Sequence, residues 1–289
     1  MRRVLGVNTW VWTSPLTDDS LGRIARRAAD MGFGAIELPV ESPGDWDPAR
    51  AADLLAELGL DAYVVGAMGG GRNLVSAPAE SIAATRNYLV HCITVAKKLG
   101  ASVVAGPFYA ETGRTWRMSV DDRSAIIAEL RESIAPVVDV ARAAGVTLAI
   151  EPLNRYETSI VNTVEQALDV FAPHLGPGLG LALDSYHLNI EEKNPFAAIR
   201  AAGENLVHVQ VCGNDRGAVG DDHIDWPSFL DALDDVAYAG PLNLESFTGD
   251  NETIATAASI WRPLAKSQDA LAHDTLTYLT GLQDERYPR

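Results

Sequence analysis

Two rhythms of apolar residues alternate along the chain. Short runs such as Thr147-Leu148-Ala149-Ile150, Leu181-Ala182-Leu183 and Leu206-Val207-His208-Val209 read as buried strands, and longer stretches between them carry apolar residues at helical spacing. In the stretch opened by Asp18 and Asp19, for example, Leu21, Ile24, Ala25 and Ala28 share one face, and Met31-Gly32-Phe33-Gly34 ends it. The same glycine punctuation recurs at Leu58-Gly59, Leu99-Gly100 and Ala144-Gly145, each just before the next strand. The predicted strands are Val4–Trp10, Ala35–Val40, Ala62–Ala67, Ser102–Phe108, Thr147–Pro152, Gly178–Asp184, Leu206–Cys212 and Leu242–Glu245. A helical pattern follows each. Eight such units in 289 residues predict an α/β fold closed into a (β/α)8 TIM barrel.

No Ser/Gly-rich linker, low-complexity tract or composition break divides residues 1–289, so a single domain is expected, with a helical tail from about 251 to 289. The net charge of −16 disfavours nucleic acid, which is gripped by clustered Lys and Arg. Cys92 and Cys212 are too few and too far apart for a disulfide scaffold or a thiolate zinc site. No segment approaches the ~20 apolar residues of a membrane span, and the N-terminal segment shows no secretory leader. A soluble cytoplasmic protein without a membrane partner is the expectation.

The chemistry gathers at the strand ends of the second half. Glu151, Asp184, Gln210 and Glu245 follow four successive apolar runs. In a barrel the strand C-termini open on one face, with neighbours ~4.8 Å apart, so these four side chains converge. A lone carboxylate at a strand end is as readily a helix cap or a partner for arginine. Four in register point instead to a site of hard oxygen donors, suited to Mn²⁺ or Mg²⁺, with carboxylates available as bases. Gln210 is its weakest member, because an amide at a strand end also serves to satisfy backbone groups.

Other candidates surround this set. Glu157 follows Glu151 by six positions, His187 follows Asp184 by three, and Arg216 lies beyond Gln210. Phe108 and Trp116 offer aromatic faces to the apolar face of a small ligand, though Phe108 equally suits a core. Glu37, at the end of the second strand, is placed to take a hydroxyl or to pair with a neighbouring base. His208 shares a strand face with Gln210 and reads as a packed barrel residue or an additional ligand, and His223 is a loop candidate for acid/base work. Gly66-Ala67-Met68-Gly69-Gly70-Gly71-Arg72 lacks the Gly-Lys-Ser/Thr ending of a phosphate loop, and Asp221 and Asp222 would repel phosphate, so an unphosphorylated substrate is expected.

The stretches Glu151-Pro152-Leu153-Asn154-Arg155-Tyr156-Glu157 and Asp184-Ser185-Tyr186-His187-Leu188-Asn189-Ile190-Glu191-Glu192, with Asn214-x-Arg216, Glu245 and Trp261-Arg262, resemble the ketose 3-epimerase family of xylose-isomerase-like barrels, the D-tagatose and D-psicose 3-epimerases. The likeness covers nearly the whole chain. It implies that Glu151 and Glu245 bind a divalent metal and flank a free ketose. One removes the C3 proton and the other returns one to the opposite face, through a cis-enediolate. Glu157, His187 and Arg216 would hold the sugar's oxygens. The metal implied is Mn²⁺, with Mg²⁺ or Co²⁺ as alternatives, and the assembly a homo-oligomer, dimer or tetramer. The sequence departs from the family at Gln210, where the epimerases carry a metal-binding histidine and hydroxypyruvate-isomerase-like relatives a glutamine. That departure keeps open an aldose–ketose isomerase, or a lyase acting on 3-oxo-C-glycosides, which would bring a second subunit. A non-catalytic sugar binder is the remaining reading.

Overall fold

The computed structural model describes residues 1–288, so Arg289, the end of the predicted tail, lies outside the described residues. Eight parallel strands close into a barrel in sequence order: β1 (Leu5–Asn8), β2 (Ala35–Val40), β3 (Asp61–Gly66), β4 (Val103–Gly106), β5 (Thr147–Ile150), β6 (Leu179–Asp184), β7 (Leu206–Val211) and β8 (Leu242–Leu244). The ring is completed by β1 pairing with β8, Leu5 opposite Leu242 and Val7 opposite Leu244. This is the predicted (β/α)8 TIM barrel.

Helices separate the strands for the local reasons visible in the sequence. Helix Asp18–Met31 starts at Thr17, whose hydroxyl accepts from the Ser20 amide while Ser20 reaches back to the Thr17 amide, a reciprocal cap. It ends at Gly32, and the next helices end at Gly59, Gly100 and Gly145, all with the left-handed backbone that lets the last carbonyls be bonded. Their apolar faces cover the barrel in one continuous core running from Val7 to Leu279.

The barrel's interior is divided. On the β4–β6 side it is small and apolar, with Val103, Ala105, Ala149 and Ala182 packed together. On the side of β1, β2, β7 and β8 it is polar, with Asn8, Glu37, His208, Gln210 and Asn243 all fully buried. At the C-terminal end Phe108 lies across Gly66 and Gly106. A Cβ on either glycine would come within 2.7 Å of the Phe108 ring, and Gly106 holds φ +151°, which side-chain-bearing residues rarely adopt. This turn ends β4 at Gly106, two residues before the expected end.

The tail does two things. Its second part is the outer helix Gln268–Arg286. Its first part is a six-residue helix, Glu252–Ala257, laid over the barrel's open end, after which Ser259 takes a positive φ and the chain runs irregularly to Ser267. At the opposite end Asp234 gathers the N-terminal amine, Arg3, Arg286 and Tyr287, joining both chain ends to helix Trp226–Asp235. No helix among the described residues is long and apolar enough to cross a membrane.

Candidate active site

Alternate residues of a strand share a face, so Glu151 extends the inward row of Ala149, Asp184 that of Ala182, Gln210 that of His208, and Glu245 that of Asn243. Cross-strand register sets Ala182 opposite His208, Asp184 opposite Gln210, and Gln210 opposite Asn243, two residues before Glu245. All four side chains are buried at the barrel's C-terminal end. Arg216, on the loop after β7, reaches back among them. Its Nη1 donates to Asp184 Oδ2 and, at 3.0 Å, to Glu245 Oε2. Its guanidinium sits between the rings of Tyr186 and Phe247, 4.1 and 5.1 Å from their centroids.

His187 joins through the first turn of the helix after β6. The Asn154 backbone N–H donates to its Nδ1 at 3.1 Å, and its Nε2 lies 3.2 Å from Arg216 Nη2, 3.5 Å from Glu151 Oε1 and 3.8 Å from Asp184 Oδ2. Burial, helped by Arg216, holds its pKa well below the ordinary histidine value, so the ring is neutral. Asn154 also donates to Glu157 Oε1 at 2.7 Å, turning that carboxylate into the site.

The electrostatics are those of too much buried negative charge. Burial raises Glu151 well above the usual carboxylate range, and Glu245 and Asp184 raise it further against the pull of Arg216. Burial likewise raises Glu245 well above that range, with Arg216 opposing. Glu157 is raised by burial too. Arg216 is driven the other way: burial opposes its charge, but Asp184, Cys212 and Glu245 outweigh that and raise its pKa well above normal.

These atoms suit a divalent cation. One donor atom from each of Glu151, Asp184 and His187 lies within 4.8 Å of the others. Glu151 Oε1 and Gln210 Oε1 are buried oxygens with no hydrogen-bond partner, a costly condition that a cation relieves. Hard oxygens with one imidazole nearby make a site for an ion of the Mg²⁺ or Mn²⁺ kind rather than a thiophilic one.

Beside them opens a cavity of about 200 Å³. That is below the ~300–1,000 Å³ of drug-sized ligand sites and suits one small molecule. Glu151, Glu157, His187, Arg216 and Glu245 line its inner end. Its outer end is apolar, formed by Trp10, Val65, Phe247 and, from the six-residue helix of the tail, Ile254, Ala257 and Ala258. Trp10 is held by its indole N–H on Glu41, 3.0 Å away.

Several candidates lie elsewhere. Glu37 is wholly buried beneath the site, does not line the cavity, and has His208 bonded to it at 2.5 Å. Phe108 is fully buried against the glycines of β3 and β4, and Trp116 stacks on Arg114, 4.7 Å away; neither lines the cavity. His223 is on the surface side, 3.0 Å from Asn189. Ile254, Ala257 and Ala258, whose spacing with Trp261 and Leu264 reads as an outer helix of the tail, instead cover the cavity, on a helix that stops at Ala257. Phe247, two positions after Glu245 on the same inward row, was legible from that spacing.

Comparison with known proteins fits this geometry. The family model for xylose isomerase-like TIM barrels matches residues 25–266. The L-ribulose 3-epimerase of Mesorhizobium japonicum is 30% identical over 285 residues, 98% of this chain and 95% of its own. The ketose 3-epimerase of Arthrobacter globiformis is 29% identical, with 93% of each chain covered. The solved structure of D-allulose 3-epimerase from Methylomonas sp. in complex with D-allulose matches with a TM-score of 0.86 at 28% identity, over 97% of each chain. This chain belongs to the xylose isomerase-like TIM barrel family and, within it, to the ketose 3-epimerases, enzymes of carbohydrate isomerisation.

Proposed function

We propose that this protein inverts C3 of unphosphorylated ketoses, with Glu151 and Glu245 as the proton-transfer pair and Mn²⁺ as the working ion, held by Glu151, Asp184, Gln210 and Glu245. The observation that carries the reading is the pair of buried carboxylates, Glu151 and Glu245, lining one monosaccharide-sized cavity. When bound, a divalent ion polarises the ketone and adjacent hydroxyl and so acidifies the C3 hydrogen.

The protein's own side chains do the rest. A carboxylate with a raised pKa is a stronger base than an ordinary one, and it returns a proton readily near neutrality. One of the two glutamates accepts the C3 proton, and the other delivers a proton to the opposite face. Negative charge gathering on the substrate's oxygens meets the Arg216 guanidinium, fixed beforehand by Asp184, with the neutral His187 ring beside it. Glu157 takes a hydroxyl. The apolar outer end excludes water from the enediolate.

The lyase and aldose–ketose isomerase readings are not favoured by the relatives. Incubation of the Mn²⁺-loaded protein with L-ribulose, D-allulose, D-tagatose and D-fructose, followed by sugar chromatography, tests the reading. Formation of the C3 epimer of at least one of them, lost with a chelator and restored by Mn²⁺, is expected; unchanged sugars in every case would overturn it.

A further inference from the structure

Glu37 sits one layer below the site with its two oxygens wholly engaged. Oε2 accepts from Asn8 Nδ2 at 2.8 Å and from Gln210 Nε2 at 3.0 Å; Oε1 accepts from Asn243 Nδ2 at 2.8 Å and from His208 Nε2 at 2.5 Å. A carboxylate offers about four acceptor positions, so this one is saturated and has none left for a substrate hydroxyl.

The consequence falls on Gln210. Its amide nitrogen also donates to Glu245 Oε1, 2.7 Å away. Two carboxyl groups therefore face the same end of the amide, and Glu37, which already receives the side-chain N–H groups of Asn8 and Asn243, presents acceptors to it. The NH₂ end must point at both, which turns the carbonyl end away from them. That carbonyl oxygen is one of the two buried site oxygens without a hydrogen-bond partner. Rotating the amide by half a turn would set oxygen against two carboxyl groups and present to a cation an NH₂ group that cannot bind it.

We propose that Glu37 is a positioning residue that fixes the Gln210 amide, so that its oxygen is the atom offered to the divalent ion while its NH₂ anchors Glu245. This rests on the metal-dependent reading above and adds to it how a glutamine serves on β7. A carboxylate behind a metal ligand orients that ligand and raises its affinity, an effect of ~10–100-fold when the partner is removed.

The test reads the ion and not turnover. Mn²⁺ affinity is measured from the free-ion electron paramagnetic resonance signal in titrations of the wild type, Glu37→Gln, Gln210→Met and the double variant. Each single variant is expected to weaken binding ~10–100-fold, and the double variant to be no weaker than Gln210→Met within about threefold. Losses that multiply in the double variant would show that Glu37 acts on the fold in general and overturn the proposal. Undiminished binding by Gln210→Met would overturn it as well. Gln210→His, which leaves Glu37 intact and so stands if Glu37→Gln fails to fold, should add one directly bound nitrogen to the Mn²⁺ spin-echo spectrum. An unchanged spectrum means that position 210 does not reach the ion. A protein that shows this coupling yet epimerises no ketose would retain the role of Glu37 and overturn the reading of the reaction.

Discussion

Arg216 balances the buried carboxylates, and Arg216→Met measures that balance. Methionine keeps an unbranched side chain between Tyr186 and Phe247 but removes the cation that Asp184 and Glu245 share. Deleting one partner of a buried ion pair costs about 3–5 kcal/mol. With an unfolding entropy of ~2.1 cal/mol/K per residue, a chain of this length then loses about 5–8 °C in Tm. The carboxylates can limit the loss by taking up protons, which makes it depend on pH. Glu151 and Glu245 already have folded pKa values above the ordinary value of 4.5. A group raised in this way contributes stability that is complete below its unfolded pKa and is lost as pH rises through its folded pKa. Without Arg216 both are raised further. The variant's deficit should therefore be smaller in mild acid than in mild alkali. A divalent ion replaces the missing charge, so saturating Mn²⁺ should stabilise the variant by more than the ~2.7 kcal/mol expected for the wild type at a hundred times Kd. Calorimetric unfolding in mild acid and in mild alkali, with chelator or with Mn²⁺, gives all four quantities. A deficit under ~1 kcal/mol at the higher pH, or one that Mn²⁺ fails to reduce, would refute the charge balance described here.

Glu151→Gln and Glu245→Gln should each lower kcat for epimerisation by ~10²–10⁴-fold while the chain stays folded, measured by steady-state sugar conversion and circular dichroism; a loss under tenfold in either would remove that residue from proton transfer. Ala258→Phe places a ring in the apolar outer end of the cavity and should raise KM by tenfold or more with Mn²⁺ affinity unchanged, as read by kinetics and metal titration. Asp234→Asn weakens the contacts of the N-terminal amine, Arg3 and Arg286, at a cost of about 2 kcal/mol in urea unfolding at neutral pH. Hydrogen bonds from the N-terminus, Tyr287, Arg3 and Arg286 hold the Asp234 pKa well below its ordinary value despite opposing desolvation. Its stabilisation is thus present above the unfolded value of about 3.8 and lost as pH falls through the folded one. The gap between the two proteins should close in acid.

The sequence carried the barrel because alternation, glycine stops and apolar runs are local signals, and eight of each have one common closure. It placed Glu151, Asp184, Gln210 and Glu245 on one rim because strand ends and inward parity can both be counted from the residues. Phe108 shares the strand-end signal with the rim residues but folds down over Gly66 and Gly106, which no local pattern announces. Glu37, read as a strand-end residue, is the third of the six residues of β2, and that position sets it a layer below the rim. The lid was hidden for a different reason: Ile254, Ala257 and Ala258 carry the helical spacing of an outer tail helix, and what places them over the cavity is the barrel's open end beneath.

Proton exchange at a single carbon is the most direct test of the chemistry. Mn²⁺-loaded protein is incubated in D₂O with L-ribulose and, separately, with D-allulose, and the recovered sugars are examined by NMR. Deuterium should accumulate at C3 of substrate and epimer alike, with C1 unlabelled. Label at C1, or a C3 position that keeps its hydrogen while the epimer forms, would contradict a proton passed between Glu151 and Glu245 across C3.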